Sequence, residues 1–304
     1  MTIRFTTSSK NMCQDCPYAY YLSYIRRLTP LVEPVYFVHG HWVHQILDAY
    51  RRGGGLAGGV KAIAAVSSDA EKTFIGRPAQ EVDYLGSTLE ALPEILAAYD
   101  LRWSTDTIYE PFASEHSFKC KIEPGMVFEG KVDGMVRDTR DGAVLVWETK
   151  TPSRTGPWYY DKLVLDSQCR GYIIAQRSLT GLPVNSTVYD ILRKPQIKAG
   201  VNESPEAFAK RLGATYLAHR DELLERRVVT PPEHLLQQYY GDLASFGREL
   251  LWRTEHAEWP QYHPGNRIGR CAFFGLCVDR EERFYRQREA DEIFPELEEE
   301  EETQ

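Results

Sequence analysis

The stretch Gly130–Thr151, GKVDGMVRDTRDGAVLVWETKT, constrains the fold more than any other part of the chain. Two apolar-rich runs flank Asp138-Thr139-Arg140-Asp141-Gly142, and Asp-Gly between such runs is a strong β-hairpin signal. The pattern predicts one strand over roughly Met126–Arg137 and a second over roughly Ala143–Thr151. Side chains alternate across a strand, so Val144, Val146, Glu148 and Lys150 share a face. A carboxylate and an ammonium at the end of an apolar face are costly unless something charged binds there. A divalent metal ion with a phosphate is the natural occupant, with Asp133 on the partner strand as the second carboxylate.

Asp133 followed by Glu148-Thr149-Lys150 resembles the signature of the PD-(D/E)XK nuclease superfamily, in its RecB/Cas4-like exonuclease branch. Three further matches follow in the right order. Gly40-His41-Trp42-Val43-His44-Gln45-Ile46-Leu47-Asp48 resembles the branch's G-x-x-x-H helix, and Gln168-Cys169-Arg170-Gly171-Tyr172 resembles its Q-x-x-x-Y helix. Cysteines near both chain ends resemble its iron-sulfur staple. The resemblance spans about residues 8–280.

The resemblance implies an α/β fold: a restriction-endonuclease-like core with a central mixed β-sheet, flanked by helices and carrying the metal site at one edge. It implies a metal-dependent deoxyribonuclease that hydrolyses phosphodiester bonds, as an exonuclease on single-stranded DNA or duplex ends. Mg²⁺ or Mn²⁺ would be held by His44, Asp133, Glu148 and the backbone carbonyl of Thr149, which suits hard ions that prefer oxygen ligands. Lys150 would orient the attacking water or stabilise charge on the phosphate. Gln168 would contact DNA or support the lysine, with Tyr172 one helical turn away on the same face. His41 and His39 compete with His44 on proximity alone; position 44 is the one that matches the branch. Two rivals share the scaffold: an inactive DNA-end-binding or protein-interaction module, and a structure-specific endonuclease. Partner proteins would come from a recombination, phage or CRISPR-adaptation system.

Cys13, Cys16, Cys271 and Cys277 form a C-x2-C and a C-x5-C at opposite ends of the chain. Four converging thiolates select zinc or an iron-sulfur cluster. The resemblance implies a 4Fe-4S cluster, with Zn²⁺ as the alternative. The branch's usual C-terminal trio is short by one here, because Ile268 stands where a cysteine is expected, and Cys13 would supply the fourth ligand. Cys120 and Cys169 read as buried structural thiols.

The net charge of −8 argues against a nucleic-acid partner until its location is considered. Residues 290–304 carry Asp291, Glu292, Glu296 and Glu298–Glu302 with no base, so the rest of the chain is close to neutral. Such a like-charge block reads as a solvated, disordered tail. Residues 1–289 read as a single nuclease domain, with helical insertions over about 53–105 and 203–256. Gly53–Gly55 and Gly58-Gly59 lack the Lys-Ser/Thr ending of a phosphate-binding loop and read as a surface loop. Arg154 and then Trp158, Tyr159 and Tyr160 follow the lysine; such aromatics beside a base either stack on nucleobases or pack as a lid. No apolar run is long enough to span a membrane, and the polar N-terminus has no signal core. The expectation is a cytoplasmic protein with its cysteines reduced.

Overall fold

The computed structural model describes residues 2–262, 271–289 and 292–297. Its strands are β1 (Ile3–Thr6), β2 (Leu28–Pro30), β3 (Tyr109–Ala113), β4 (His116–Glu123), β5 (Met126–Val132), β6 (Gly134–Asp138), β7 (Val144–Lys150), β8 (Thr187–Leu192), β9 (Leu224–Val229) and β10 (Tyr285–Gln287). Its α-helices are α1 (Thr7–Asp15), α2 (Pro17–Tyr20), α3 (Val35–Ala49), α4 (Gly55–Phe74), α5 (Ala79–Trp103), α6 (Pro157–Leu163), α7 (Ser167–Thr180), α8 (Pro205–Ala218), α9 (Arg220–Leu223), α10 (Glu233–His256) and α11 (Phe274–Val278).

A five-stranded sheet runs β3-β6-β7-β8-β9, with β7 and β8 parallel and the other neighbours antiparallel. This is the expected central mixed sheet with helices around it. A three-stranded sheet, β1-β5-β4, abuts it, and β10 pairs with β2. β7 is the middle strand of the five, so Glu148 and Lys150 lie at the C-terminal end of a central strand and not at a sheet edge.

The first strand of the expected hairpin is broken. β5 pairs with β4 and β1, whereas β6 pairs with β7, and the bend between them is Asp133. One run of sequence thus serves two sheets. The break has a local cause. The β6–β7 ladder ends at Gly134 opposite Trp147, and an added Cβ at Gly134 would lie 2.9 Å from the Ala113 carbonyl oxygen. Beyond that point β5 diverges to its own partners. Arg4 on β1 makes a two-pronged contact with the buried Glu129 of β5, at 2.6 and 2.7 Å, which fastens the small sheet together.

The main apolar core lies between both sheets and helices α7 and α10, around Phe5, Phe128, Val146, Ile173, Tyr189 and Leu243. α7 starts where the Asp166 carboxylate accepts the Gln168 and Cys169 N–H groups, and ends at Gly181 in the left-handed region. A second core joins α3, α4, α5 and α8 around Leu47, Leu92, Leu96 and Tyr216. Cys120 and Cys169 are both buried in the main core.

Several expectations need correcting. The glycine stretch is not a loop. α3 runs on through one π-turn, Tyr50–Gly54, and the chain reverses where Gly53 (φ 91°) and Gly55 (φ 49°) take positive φ. Gly58 and Gly59 already lie inside α4, and a Cβ on Gly59 would stand 2.7 Å from the Leu96 side chain. Gly59 therefore lets α4 pack closely on α5, and Gly58 lets it approach the end of α3, where a Cβ would lie 2.6 Å from the Ala49 carbonyl oxygen. Residues 203–256 are not wholly helical, because β9 completes the central sheet. Its Arg226 is buried by partners instead of solvated, so no apolar stripe marks the strand. The helix that carries Gln168 and Tyr172 is α7, and a separate short helix, α6, precedes it across a turn. Within the acidic segment, Phe294 is buried against Tyr24 and Arg4, so packed chain extends past residue 290. Residues 298–304 and Ile268 lie outside the described residues.

Candidate active site at the junction of the two sheets

Because the ladder stops at Gly134, the Thr149 N–H loses its strand partner, and an unpaired buried amide is costly. Asp133 fills the gap: its Oδ2 accepts the Thr149 N–H at 2.7 Å. The bend that separates the sheets thereby holds a carboxylate against the end of β7. His44, on the middle of α3, brings Nδ1 to 3.4 Å from the same Oδ2. Glu148 is 2% exposed; its Oε1 accepts from Lys150 Nζ at 2.7 Å, and its buried Oε2 has no hydrogen-bond partner. Lys150 also donates to Gln168 Oε1 at 2.5 Å, and Gln168 Nε2 donates to the Tyr172 hydroxyl at 3.1 Å. The lysine is thus held from β7 and from the first turn of α7 at once. All seven residues singled out around this hairpin, His44, Asp133, Glu148, Thr149, Lys150, Gln168 and Tyr172, meet in one place.

The electrostatics follow from this geometry. Burial would raise the Asp133 pKa, but the His44 imidazole, the Arg51 guanidinium and the Thr149 N–H outweigh it and hold the carboxyl well below the usual range. Burial would lower His44; Asp133, by charge and hydrogen bond, outweighs that and holds the imidazole above its ordinary value. Glu148 goes the other way. Burial pushes it from 4.5 to about 7, against the pull of Lys150 and with the help of the nearby Asp133 charge. Lys150 sits above its ordinary value because the surrounding carboxylates, Glu148 first, overcome its burial.

The raised Glu148 pKa has a consequence for the metal-free protein. A carboxyl whose pKa is higher folded than unfolded favours folding below pH 4.5, and that contribution is lost as pH rises through about 7. Glu148→Gln should remove this loss. Relative to wild type, the variant should gain on the order of 1–3 kcal/mol of stability between pH 5 and pH 8. Urea unfolding in chelator at the two pH values reads the difference, and parallel behaviour of the two proteins would refute it.

Two oxygen donors, a buried carboxylate oxygen with no partner and an imidazole are the right donor types for Mg²⁺ or Mn²⁺. Among the described residues, no three His, Cys, Asp or Glu side chains are drawn together tightly enough to make a finished metal-binding group. The cysteines fare less well than the acids. Cys16, Cys271 and Cys277 gather around one small cluster with Leu22 and Phe273, whereas Cys13 is buried in the main core, its thiol pushed up to about 12 by burial. Among the described residues, these four thiols are not drawn together into a metal-binding group.

His39 is buried with neither ring nitrogen hydrogen-bonded, and burial holds it neutral, with a pKa of about 3. It takes no part in the cluster. Of the aromatics after the lysine, Tyr159 joins the core and Tyr160 donates to Glu225, while Trp158 is 61% exposed beside Lys162. Only Trp158 is placed to meet a ligand.

Sequence reasoning missed the support on the opposite face of the sheet. Arg51 donates to Thr149 Oγ1 at 3.0 Å and stands 3.8 Å from Asp190 on β8. Asp190 accepts from Tyr99 at 2.5 Å and faces Arg226, which also donates to Asp106 at 2.5 Å and lies against Trp103 and Trp147. Position 51 is seven residues, or two helical turns, beyond His44. That spacing was the available signal.

No helix among the described residues is long and apolar enough to cross a membrane. No curated protein matches the chain. Residues 4–277 match the PD-(D/E)XK nuclease superfamily. That match covers nearly the whole sequence, and the residues of the D…ExK pattern stand side by side in the structure; the chain belongs to the PD-(D/E)XK nuclease superfamily.

Proposed function

We propose that the protein is a metal-dependent deoxyribonuclease, working as a RecB/Cas4-like exonuclease on single-stranded DNA or duplex ends. Members of the superfamily are nucleases that generally use Mg²⁺ or Mn²⁺. The observation that carries the reading is the convergence of Asp133, Glu148 and Lys150, with one Glu148 oxygen buried and unpartnered. His44, Asp133, Glu148 and the Thr149 carbonyl would hold the ion. When bound, it polarises the scissile phosphate and lowers the pKa of the attacking water.

The chain's own residues do the rest. Asp133 is held ionised by His44 and the Thr149 amide, so it presents negative charge at neutral pH. Lys150 keeps its proton, which suits it to orient a water and to offset charge developing on the phosphate. Gln168 and Tyr172 fix its direction, so its ammonium need not be ordered during the reaction. Positioning of this kind is where phosphoryl-transfer enzymes gain most of their rate.

End-labelled single-stranded and duplex DNA incubated with Mg²⁺ or Mn²⁺ tests the reading. Wild type should degrade the label only with the ion present, and Lys150→Ala should be slower by about a hundredfold or more, the usual loss when one oriented transition-state donor is removed. Equal degradation by the variant would defeat the role given to the lysine. No degradation of any DNA by wild type would favour a binding module on the same scaffold.

A metal at the chain ends, 4Fe-4S ahead of Zn²⁺, belongs to the same reading on the spacing of Cys13, Cys16, Cys271 and Cys277 alone, and binding would have to draw the four thiols together. Protein purified without oxygen should then show a broad visible absorption band and contain iron. A colourless protein free of iron and zinc removes this assignment and leaves the nuclease reading intact.

A further inference from the structure

A cavity of about 490 Å³ lies beside the candidate active site, lined by Glu33, Phe37, His41, Thr151, Ser153 and Lys194. Its position is set by the parallel pair at the centre of the sheet. The chain leaving β7 supplies Thr151 and Ser153, and the chain leaving β8 supplies Lys194. These two exits are tied together: the Lys194 N–H donates to the Pro152 carbonyl at 2.9 Å, and Gln196 Nε2 donates to the Ser153 carbonyl at 2.6 Å. The crevice beyond the carboxyl ends of parallel strands is where α/β sheets bind ligands. α3 closes the other side, with Gly40 against Thr151 and His41 about one turn before His44.

The lining has the chemistry of a nucleotide. Lys194 is half-buried, and among the described residues no carboxylate stands within ion-pair distance of it. Burial alone lowers its pKa to about 8, so it still carries its charge at neutral pH, and an anion beside it would raise that pKa again. Ser153 and Thr151 add hydroxyls. Phe37 is 55% exposed at the mouth and presents a ring of the kind on which a base stacks. Glu33 offers an acceptor for ring amino groups. The volume falls in the lower half of the range of small-molecule pockets, roughly 300–1,000 Å³.

We infer that this cavity is a binding site for one nucleoside monophosphate unit of the nucleic acid strand, with its phosphate on Lys194 and its base against Phe37. The inference rests on the nuclease reading of the neighbouring cluster and adds to it a second subsite that fixes how the strand enters.

The test is binding to the metal-free full-length protein, in chelator, by ligand-observed NMR with dAMP, deoxyadenosine and inorganic phosphate as probes. dAMP should bind at least tenfold more tightly than either fragment. Lys194→Gln should weaken dAMP at least tenfold and leave deoxyadenosine unchanged, Lys194→Arg should retain dAMP, and Phe37→Ala should weaken both nucleoside probes. Thermal melts establish that each variant is folded. No dAMP binding by wild type, or equal dAMP binding by wild type and Lys194→Gln, overturns the site. Oligonucleotides with a 5′-phosphate or a 5′-hydroxyl then separate two sources of the same group: a preference for the phosphate assigns the site to a strand end, and equal affinity assigns it to an internal nucleotide. Metal-dependent cleavage is a separate readout, so cleavage without dAMP binding removes the cavity from the account and spares the nuclease.

Discussion

Asparagine in place of Asp133 should reduce Mg²⁺-dependent DNA cleavage by about a thousandfold or more, because a bound metal contributes several kcal/mol to the barrier and this side chain is central to holding it. Asparagine keeps the size of aspartate, and its carbonyl oxygen can still accept the Thr149 N–H that Asp133 accepts at 2.7 Å. The bend between β5 and β6 should therefore survive, and the loss is one of charge. The substitution also strips His44 of the carboxylate that holds its imidazole above the ordinary value. His44 in the variant should titrate at lower pH, which NMR of the ring protons can follow without metal or substrate. Calorimetric titration with Mn²⁺ completes the test. An Asp133→Asn protein that binds Mn²⁺ and cuts DNA as wild type does would dismantle the proposed centre.

Removing the Arg226 side chain should cost about 3 kcal/mol or more of folding stability. Arg226 is only 11% exposed at its side chain, and it serves two carboxylates, Asp106 at 2.5 Å and Asp190 at 3.4 Å. Asp190 is almost wholly buried on the middle of β8. Truncating one member of such a group leaves a charge without compensation in low dielectric, and losses of roughly 3–5 kcal/mol are typical. Arg51, at 3.8 Å, and the Tyr99 hydroxyl, at 2.5 Å, stay beside Asp190 in the variant, whereas Asp106 loses its direct guanidinium contact. The packing of the guanidinium on Trp103 and Trp147 is lost as well. Urea unfolding of Arg226→Ala should show a lower midpoint with an unchanged slope. A loss below about 1 kcal/mol would mean that the network carries little of the fold's stability.

The candidate cluster was legible in the sequence because each of its parts is local. Glu148 and Lys150 are two residues apart on one strand, Gln168 and Tyr172 four apart on one helix, and the order of the motifs along the chain supplied the rest. Asp133 was identified, but its setting was not. A strand that changes sheets midway has the same alternation as one that does not, and only the partners of β5 distinguish the two. β9 was hidden for a different reason: Arg226 occupies an inward position where an apolar residue would have announced a strand, and its neutralising partners lie more than thirty residues away in sequence. The glycines near residue 55 misled because small residues serve tight helix packing as readily as loops, and the Leu96 that Gly59 touches is remote in the chain. The cysteine grouping was inferred from chain-end spacing alone, and spacing does not show that Cys13 packs with the main core while Cys16 packs with Leu22 and Phe273.

The bend at residue 133 has a mechanical meaning. One acidic group stands on the seam between two sheets and the other is anchored in the middle of the larger one, so the gap between them depends on how the sheets tilt against each other. Aromatic rings such as Phe5, Phe128 and Phe118 pack along the small sheet, and Phe118 also lies edge-on against Tyr172 of the candidate cluster, at 5.5 Å between centroids. If the cluster holds the proposed ion, its grip and the interior packing are coupled, and remodelling the small sheet offers a way to retune the cation without altering a single donor atom.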